Sequence, residues 1–310
     1  MDIIIVATTA VFPILTLMVI GFVCRRTGLL DQDLIKKVNK VVFRIFLPTL
    51  IFVNLYESDF LEILNWHIIL FIAGATTIVF LLAFLIVPRF EKDNKKRGVM
   101  IQGMMRGNGV YIGIPVMQAL TGDAYLGLMA LALAVIIICY NTYSVIVLET
   151  FRHHKLSFGR IFKGIVTNPM IASAMVALIF VLFQVKLPSL VMKILSDMGA
   201  CATPLALVML GGSFAFTSLG EYKKQIFATV FVKLILTPAI CLPIAISLGF
   251  SAPEIAVIFA ILAAPTAVAS FTVAQQMDGD ATLASQIVVY SSVCSMVTIF
   301  LWIILLQSFQ

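Results

Sequence analysis

From Met104 to Pro115 the chain reads Met-Met-Arg-Gly-Asn-Gly-Val-Tyr-Ile-Gly-Ile-Pro, in the middle of a run otherwise apolar enough to cross a bilayer. A membrane has no water to satisfy a freed N–H or C=O, so a helix broken at that depth survives only inside protein or beside a water-filled cavity. An arginine and an asparagine in the same few residues are costly there and mark a pathway rather than packing. A second interruption, Ala263-Ala264-Pro265-Thr266-Ala267-Val268-Ala269-Ser270, comes late in the chain. Matched breaks in the two halves of a hydrophobic chain point to the binding site of a carrier.

The surroundings fit that setting. Hydrophobic residues make up 61% of the 310 and charged ones 12%, about half the charged share of a soluble domain. At about 20 residues per span, ten spans are expected: Ile3–Cys24, Ile35–Tyr56, Trp66–Val87, Val99–Leu120, Tyr125–Leu148, Ile161–Phe183, Leu190–Phe216, Ile226–Phe250, Pro253–Met277 and Thr282–Leu306. The net charge of +6 does not imply a nucleic-acid partner. Its Lys and Arg gather in the loops after the first, third, fifth and seventh spans, as in Arg25-Arg26, Lys95-Lys96-Arg97 and Lys223-Lys224. The opposite loops are acidic or neutral apart from Lys186 and Lys193, which places both termini outside. Asp2 and the basic pair that follows the first apolar run argue against a cleaved signal. The five cysteines have no ligand spacing, and no catalytic or cofactor motif is present, so neither an enzyme nor a bound cofactor is expected.

The halves repeat. Pro13 and Pro48 stand 35 residues apart, as do Pro169 and Pro204. Thr121-Gly122-Asp123-Ala124 after the fourth span matches Asp278-Gly279-Asp280-Ala281 after the ninth. The expected fold is therefore an all-α polytopic membrane protein with two inverted five-helix repeats, residues 1–150 and 161–310, joined by a cytoplasmic linker at 151–160. An odd number of spans per half forces the second to enter from the opposite face.

Each break leaves the N-terminus of a second half-helix near the midplane, where unpaired N–H groups and the helix dipole favour an anion. Pro115 and Pro265 each remove a donor and clash with the preceding turn. Gly107, Gly109 and Gly113 permit unwinding and close helix approach. Arg106 lies nine residues past Arg97, about 13 Å along a helix; it either faces the cavity or snorkels to the headgroups, and the cavity is favoured. Lys233, nine residues past Lys224, is expected to snorkel. Asn108 and Asn141 both donate and accept. Thr266, Ser270 and Gln275 place polar groups on or after the second break. No Asp or Glu stands at mid-span, which argues against a proton relay through an acidic residue but leaves sodium held by half-helix carbonyls open.

These residues resemble the auxin efflux carrier family of secondary transporters, over essentially the whole chain. The similarity is most specific at Asn108 through Pro115, including Tyr111, and at Ala264-Pro265-Thr266 through Ala274 with the Asp278–Ala281 turn; Leu47–Phe52 and Thr203-Pro204-Leu205 add to it. The resemblance implies that the fourth and ninth helices cross at their prolines. It further implies a scaffold half and a transport half in elevator-like motion, a homodimer, and organic anions such as carboxylates as cargo, with Asn108 in contact with substrate. The chain lacks the long central loop of the plant carriers, so a prokaryotic carboxylate or malonate carrier fits better than auxin itself. A sodium-coupled carrier of the bile-acid transporter type and a receptor built on a transporter fold are the alternatives. The expected partners are the anion, the lipid bilayer, and a coupling proton or sodium ion.

Overall fold

The computed structural model describes residues 2–57, 66–152, 167–213 and 219–307, and those residues are all-helical, joined by turns and short loops. In chain order the helices are α1 (Asp2–Arg26), α2 (Gln32–Tyr56), α3 (Trp66–Phe90), α4 (Asn94–Met105), α5 (Gly109–Thr121), α6 (Leu126–Arg152), α7 (Pro169–Leu182), α8 (Ser189–Ser213), α9 (Gly220–Ser247), α10 (Ala252–Leu262), α11 (Ala269–Gln276) and α12 (Ala281–Gln307). Among the described residues, six helical stretches (α2, α3, α8, α9, Leu128–Arg152 and Ala281–Leu306) are long and apolar enough to cross a membrane, and α5, α7 and α10 are shorter apolar helices. Leu70, Ile78, Leu81, Leu82 and Leu85 on α3 are all more than half exposed. In water such a stripe would drive aggregation; against lipid it costs nothing. The chain is a multi-pass membrane protein. The first residues expected in the sixth span, the last of the seventh, and all of the expected linker past Arg152 lie outside the described residues.

Proline sets the local irregularities. A π-helical turn occupies 42–46, 109–113 and 232–236, and in each case a proline, Pro48, Pro115 or Pro238, follows two residues after it. Proline's ring clashes with the carbonyl four residues back and offers it no hydrogen bond. Inserting one residue into the preceding turn relieves the clash without ending the helix. The carbonyl freed by Pro238 is recovered from outside: Trp302 Nε1 donates to Leu234 O at 2.9 Å. In α8 the corresponding irregularity is the turn at Cys201, just before Pro204.

The helices gather into two groups. α1 packs along the second half of α8, and α2 packs against α7 and the first half of α8. The α1–α8 contact is made by backbone: a Cβ on Gly21 would fall 1.9 Å from the Val208 carbonyl oxygen, and one on Gly211 equally close to that of Met18. Only glycine permits this approach. In the other group α3, α4 and α6 pack together, while α12 packs on α9 and α11 and also lies along α1 of the first group. α11 is tied to α2 by Asn39 Nδ2, which donates to Gln275 Oε1 at 2.6 Å.

Candidate functional site

Two helices end facing each other near the middle of the second group. α4 stops at Met105, and Arg106 and Asn108 leave helical geometry with ψ of 109° and 61°. α10 stops at Leu262, and residues 263–268 run irregularly to α11. The two unwound segments pair antiparallel at Gly107 and Thr266. Asn108 N donates to Pro265 O at 2.8 Å, and Ala267 N donates to Arg106 O at 3.1 Å. Thr266 locks the crossing from both sides, its hydroxyl donating to Gly103 O at 2.9 Å and its N–H to Ser291 Oγ at 3.2 Å. Each break thus supplies the other's missing backbone partners, as the absence of water requires.

The crossing is not at both prolines, as the resemblance implied. Pro265 does lie in its break, but the first break is at 106–108, and Pro115 lies beyond it at the start of regular helix in α5. The π-helical turn absorbs the proline locally, so the unwinding falls where Arg-Gly-Asn cannot hold a helix. Gly107 is required by proximity: a Cβ there would sit 2.8 Å from Ile261 O and 3.0 Å from Lys233 Nζ.

A cavity of about 90 Å³ opens beside the crossing. One wall is Arg106 to Tyr111 with Ala267, Val268 and Ala269; α6 contributes Leu133, Ile137, Tyr140 and Asn141. The opposite wall comes from the other group: Leu47, Leu50, Ile51 and Asn54 of α2, Met170 of α7, and Thr203 and Ala206 of α8. The first residues of both α5 and α11 therefore face the same space. Ser270 and Phe271 N–H bond back to Ala267 O and Val268 O, and Ile112 and Gly113 N–H to Asn108 O, while the positive ends of both helix dipoles lie beside the cavity.

The side chains add to that field. Arg106, 6% exposed, donates to Asn141 Oδ1 at 3.0 Å and to Ser144 Oγ at 3.3 Å. The amide nitrogens of Asn108 and Asn141 are buried and have no partner, and the buried Tyr140 hydroxyl, lying against Gly107 and Thr76, has none of good geometry. Lys233 is a correction. It does not snorkel; it is 1% exposed and its Nζ donates to Leu262 O at 3.1 Å, at the C-terminus of α10. The ion pairs among the described residues join Arg152 to Glu149 and Asp278 and Lys193 to Asp197. Neither Arg106 nor Lys233 takes part in one.

Of the residues singled out from sequence, Arg106, Asn108, Gly109, Tyr111 and Asn141 line the cavity. The others do not. Gly113 packs against the Ala260 carbonyl, Pro115 opens a helix, and Pro265 and Thr266 build the crossing. Ser270 is buried just past the cavity wall with its hydroxyl unpartnered, and Gln275 is held by Asn39. Tyr140, Asn54 and Thr203 line the cavity without having been singled out as site residues. Tyr140 stands next to Asn141 in sequence, and Thr203 precedes Pro204, one of the prolines whose spacing signalled the repeat.

The sequence matches the family described as membrane transport protein over residues 6–159 and 155–303. It is 26% identical over 308 residues to an uncharacterised transporter of Methanothermobacter thermautotrophicus, covering 97% of this chain and 98% of the relative. It is also 25% identical over 305 residues to an uncharacterised transporter of Methanocaldococcus jannaschii, covering 94% of this chain and 96% of the relative.

Proposed function

Since this chain belongs to the membrane transport protein family, that of the auxin efflux carriers, we propose that it carries small organic anions, carboxylates foremost, through the cavity at the helix crossing. The observation that carries this reading is a charge imbalance. Arg106 and Lys233 are buried with no carboxylate paired to either among the described residues. An uncompensated buried cation costs several kcal/mol; Arg106, which lines the cavity, is tolerable where a substrate anion or its water completes the site, while Lys233 has the Leu262 carbonyl for its partner. Two helix N-termini beside the cavity add positive field, and the unpaired amides of Asn108 and Asn141, which line it, add donors. A planar guanidinium matches a carboxylate in a way a lysine does not.

The movement follows from where the cavity lies. Its walls belong to two helix groups, so sliding α3–α6 and α9–α12 past α1, α2, α7 and α8 would carry the site between faces in an elevator-like step. Counting α4 with α5 and α10 with α11 as one span each gives ten spans in two inverted repeats. The irregular turns at 42–46 and Cys201, and the positive-φ residues Gly122 and Asp278, recur at a similar offset and support that count. In this reading both termini are outside and the basic loops cytoplasmic, and homodimerisation through the non-moving group fits the family. Counterflow into proteoliposomes with labelled dicarboxylates and aromatic acids tests the function. Exchange of at least one acid, with its neutral amide excluded, is expected. A chain that exchanges no anion, or the amide equally well, is not an anion carrier.

A further inference from the structure

Lys233 stands in a place that a carrier of this build can use for a different ion. The last carbonyls of a helix have no partner within it and carry the negative end of its dipole. In transporters with broken helices, such C-terminal ends coordinate sodium. Here the α10 terminus points its Leu262 carbonyl at the Lys233 ammonium, and the Gly107 backbone closes the other side. The matching terminus of α4 is satisfied without charge, by the Thr266 hydroxyl on Gly103 O. One of the two C-terminal ends therefore carries a cation, and that cation is covalently attached. A lysine is an expensive choice at a fully buried position if its work were only to bridge two segments, since a hydroxyl does that at the other end. A sodium ion entering beside it would meet like charge at close range.

We propose that the Lys233 ammonium is a tethered cation occupying the half-helix C-terminus that a coupling sodium ion would otherwise take, so that anion binding needs no sodium. This rests on the proposed anion site, with which it shares the crossing. The π-helical turn at 232–236 contributes by widening the helix where the side chain must leave it for the α10 end. The ammonium has three donors and one is used on Leu262 O; α9 and α10 belong to the same moving group, so this bond travels with the site.

The test uses the purified full chain, wild type and Lys233→Ala, with Lys233→Arg as a variant that keeps the charge. Binding of radiolabelled sodium is measured first, without any anion, so that its outcome does not depend on the proposed cargo. Wild type is expected to bind none, and Lys233→Ala to bind sodium at the vacated carbonyls. Binding of malonate and of indole-3-acetate is then compared in sodium and choline chloride at equal ionic strength. Wild type is expected to be indifferent to the cation. Lys233→Ala should lose about tenfold or more in choline and recover in sodium, while Lys233→Arg should remain indifferent. Stoichiometric sodium binding by wild type overturns the proposal, as does tenfold stimulation of its anion binding by sodium. So does a Lys233→Ala chain that is folded by thermal melt yet binds the acid as wild type does in choline, or one whose loss sodium does not restore. If neither acid binds wild type in any salt, the anion reading fails while the sodium measurement still decides the role of Lys233.

Discussion

The two breaks complete each other's backbone but differ in chemistry. The first, at 106–108, carries an arginine and an asparagine; the second, at 263–268, is alanine and valine apart from Pro265 and Thr266. Across the crossing their helix ends are completed differently, α4 by a hydroxyl and α10 by an ammonium. The difference teaches how a repeated fold becomes an asymmetric site. Backbone pairing needs no particular side chains, so both breaks can be built from small residues. Recognition needs charge and amides, and one break supplies them while the other contributes a dipole and borrows its cation from α9.

The most severe way to break the comparison is to fill the space that lets the breaks meet. In Gly107→Val the new side chain meets the Ile261 carbonyl and Lys233 Nζ at once. Backbone cannot yield as a side-chain tip can, so a loss of about 3 kcal/mol is expected, read as a fall in thermal stability with binding lost alongside. A melt unchanged from wild type would mean that the two segments do not touch there.

Arg106→Gln comes next, and it separates charge from shape. The change keeps hydrogen bonding to Asn141 and Ser144 within reach but removes the cation. Loss of a charge-assisted bond is worth roughly 1.5–3 kcal/mol, about ten- to a hundredfold in affinity for an acid. The neutral amide of the same acid should change little, and stability should hold or rise, since a buried charge is relieved. Equal loss for acid and amide would remove Arg106 as the counter-charge.

Thr266→Val should act the other way, on fold and not on cargo. It deletes the hydroxyl bond to Gly103 O but leaves the Thr266 backbone bonds in place. About 1 kcal/mol of stability is expected to go, with anion affinity within twofold of wild type. A large loss of binding with unchanged stability would make the second break a recognition element after all.

Much of this was legible in the chain, and what was not has identifiable causes. Glycine, proline and polar residues inside apolar runs located both breaks, because lipid tolerates them only in such settings. Pro115 misled: sequence shows that a proline disturbs its turn, but not that one inserted residue absorbs the disturbance, and the same device recurs before Pro48 and Pro238. For Lys233, distance along the helix from Lys224 was a fair measure of depth yet says nothing about direction around the axis; the ammonium faces the crossing, where a helix C-terminus receives it. Gln275 was read as a site residue from its position after a break, whereas its partner Asn39 is 236 residues away in sequence. Pairings of that kind depend on how the two helix groups dock, which no local pattern reports.

The smallest expected effect lies at the outer end of the second half-helix, and it tests whether burial, rather than charge itself, is what makes the second break special. Past α11, Asp278 pairs with Arg152 of α6 at 2.5 Å, with side chains 59% and 37% exposed. This contact is shorter than the bond Lys233 makes, and it joins full opposite charges. On distance alone it would be the stronger of the two. Solvent and salt screen it, however, and ordering two exposed side chains offsets part of the attraction, so such pairs are worth about 0.2–1 kcal/mol. Arg152 also has Glu149 beside it at 3.7 Å, which would lose that contact as well. Arg152→Gln should therefore lower stability by less than about 1 kcal/mol, and the loss should shrink further as salt is raised from low ionic strength to beyond physiological, where the screening length falls below about 8 Å. Anion affinity should not move. A loss as large as that of Gly107→Val, insensitive to salt, would show that this end of α11 is anchored by charge in a low-dielectric setting, and the contrast between a buried cation where α10 enters the second break and a solvated pair past α11 would no longer hold.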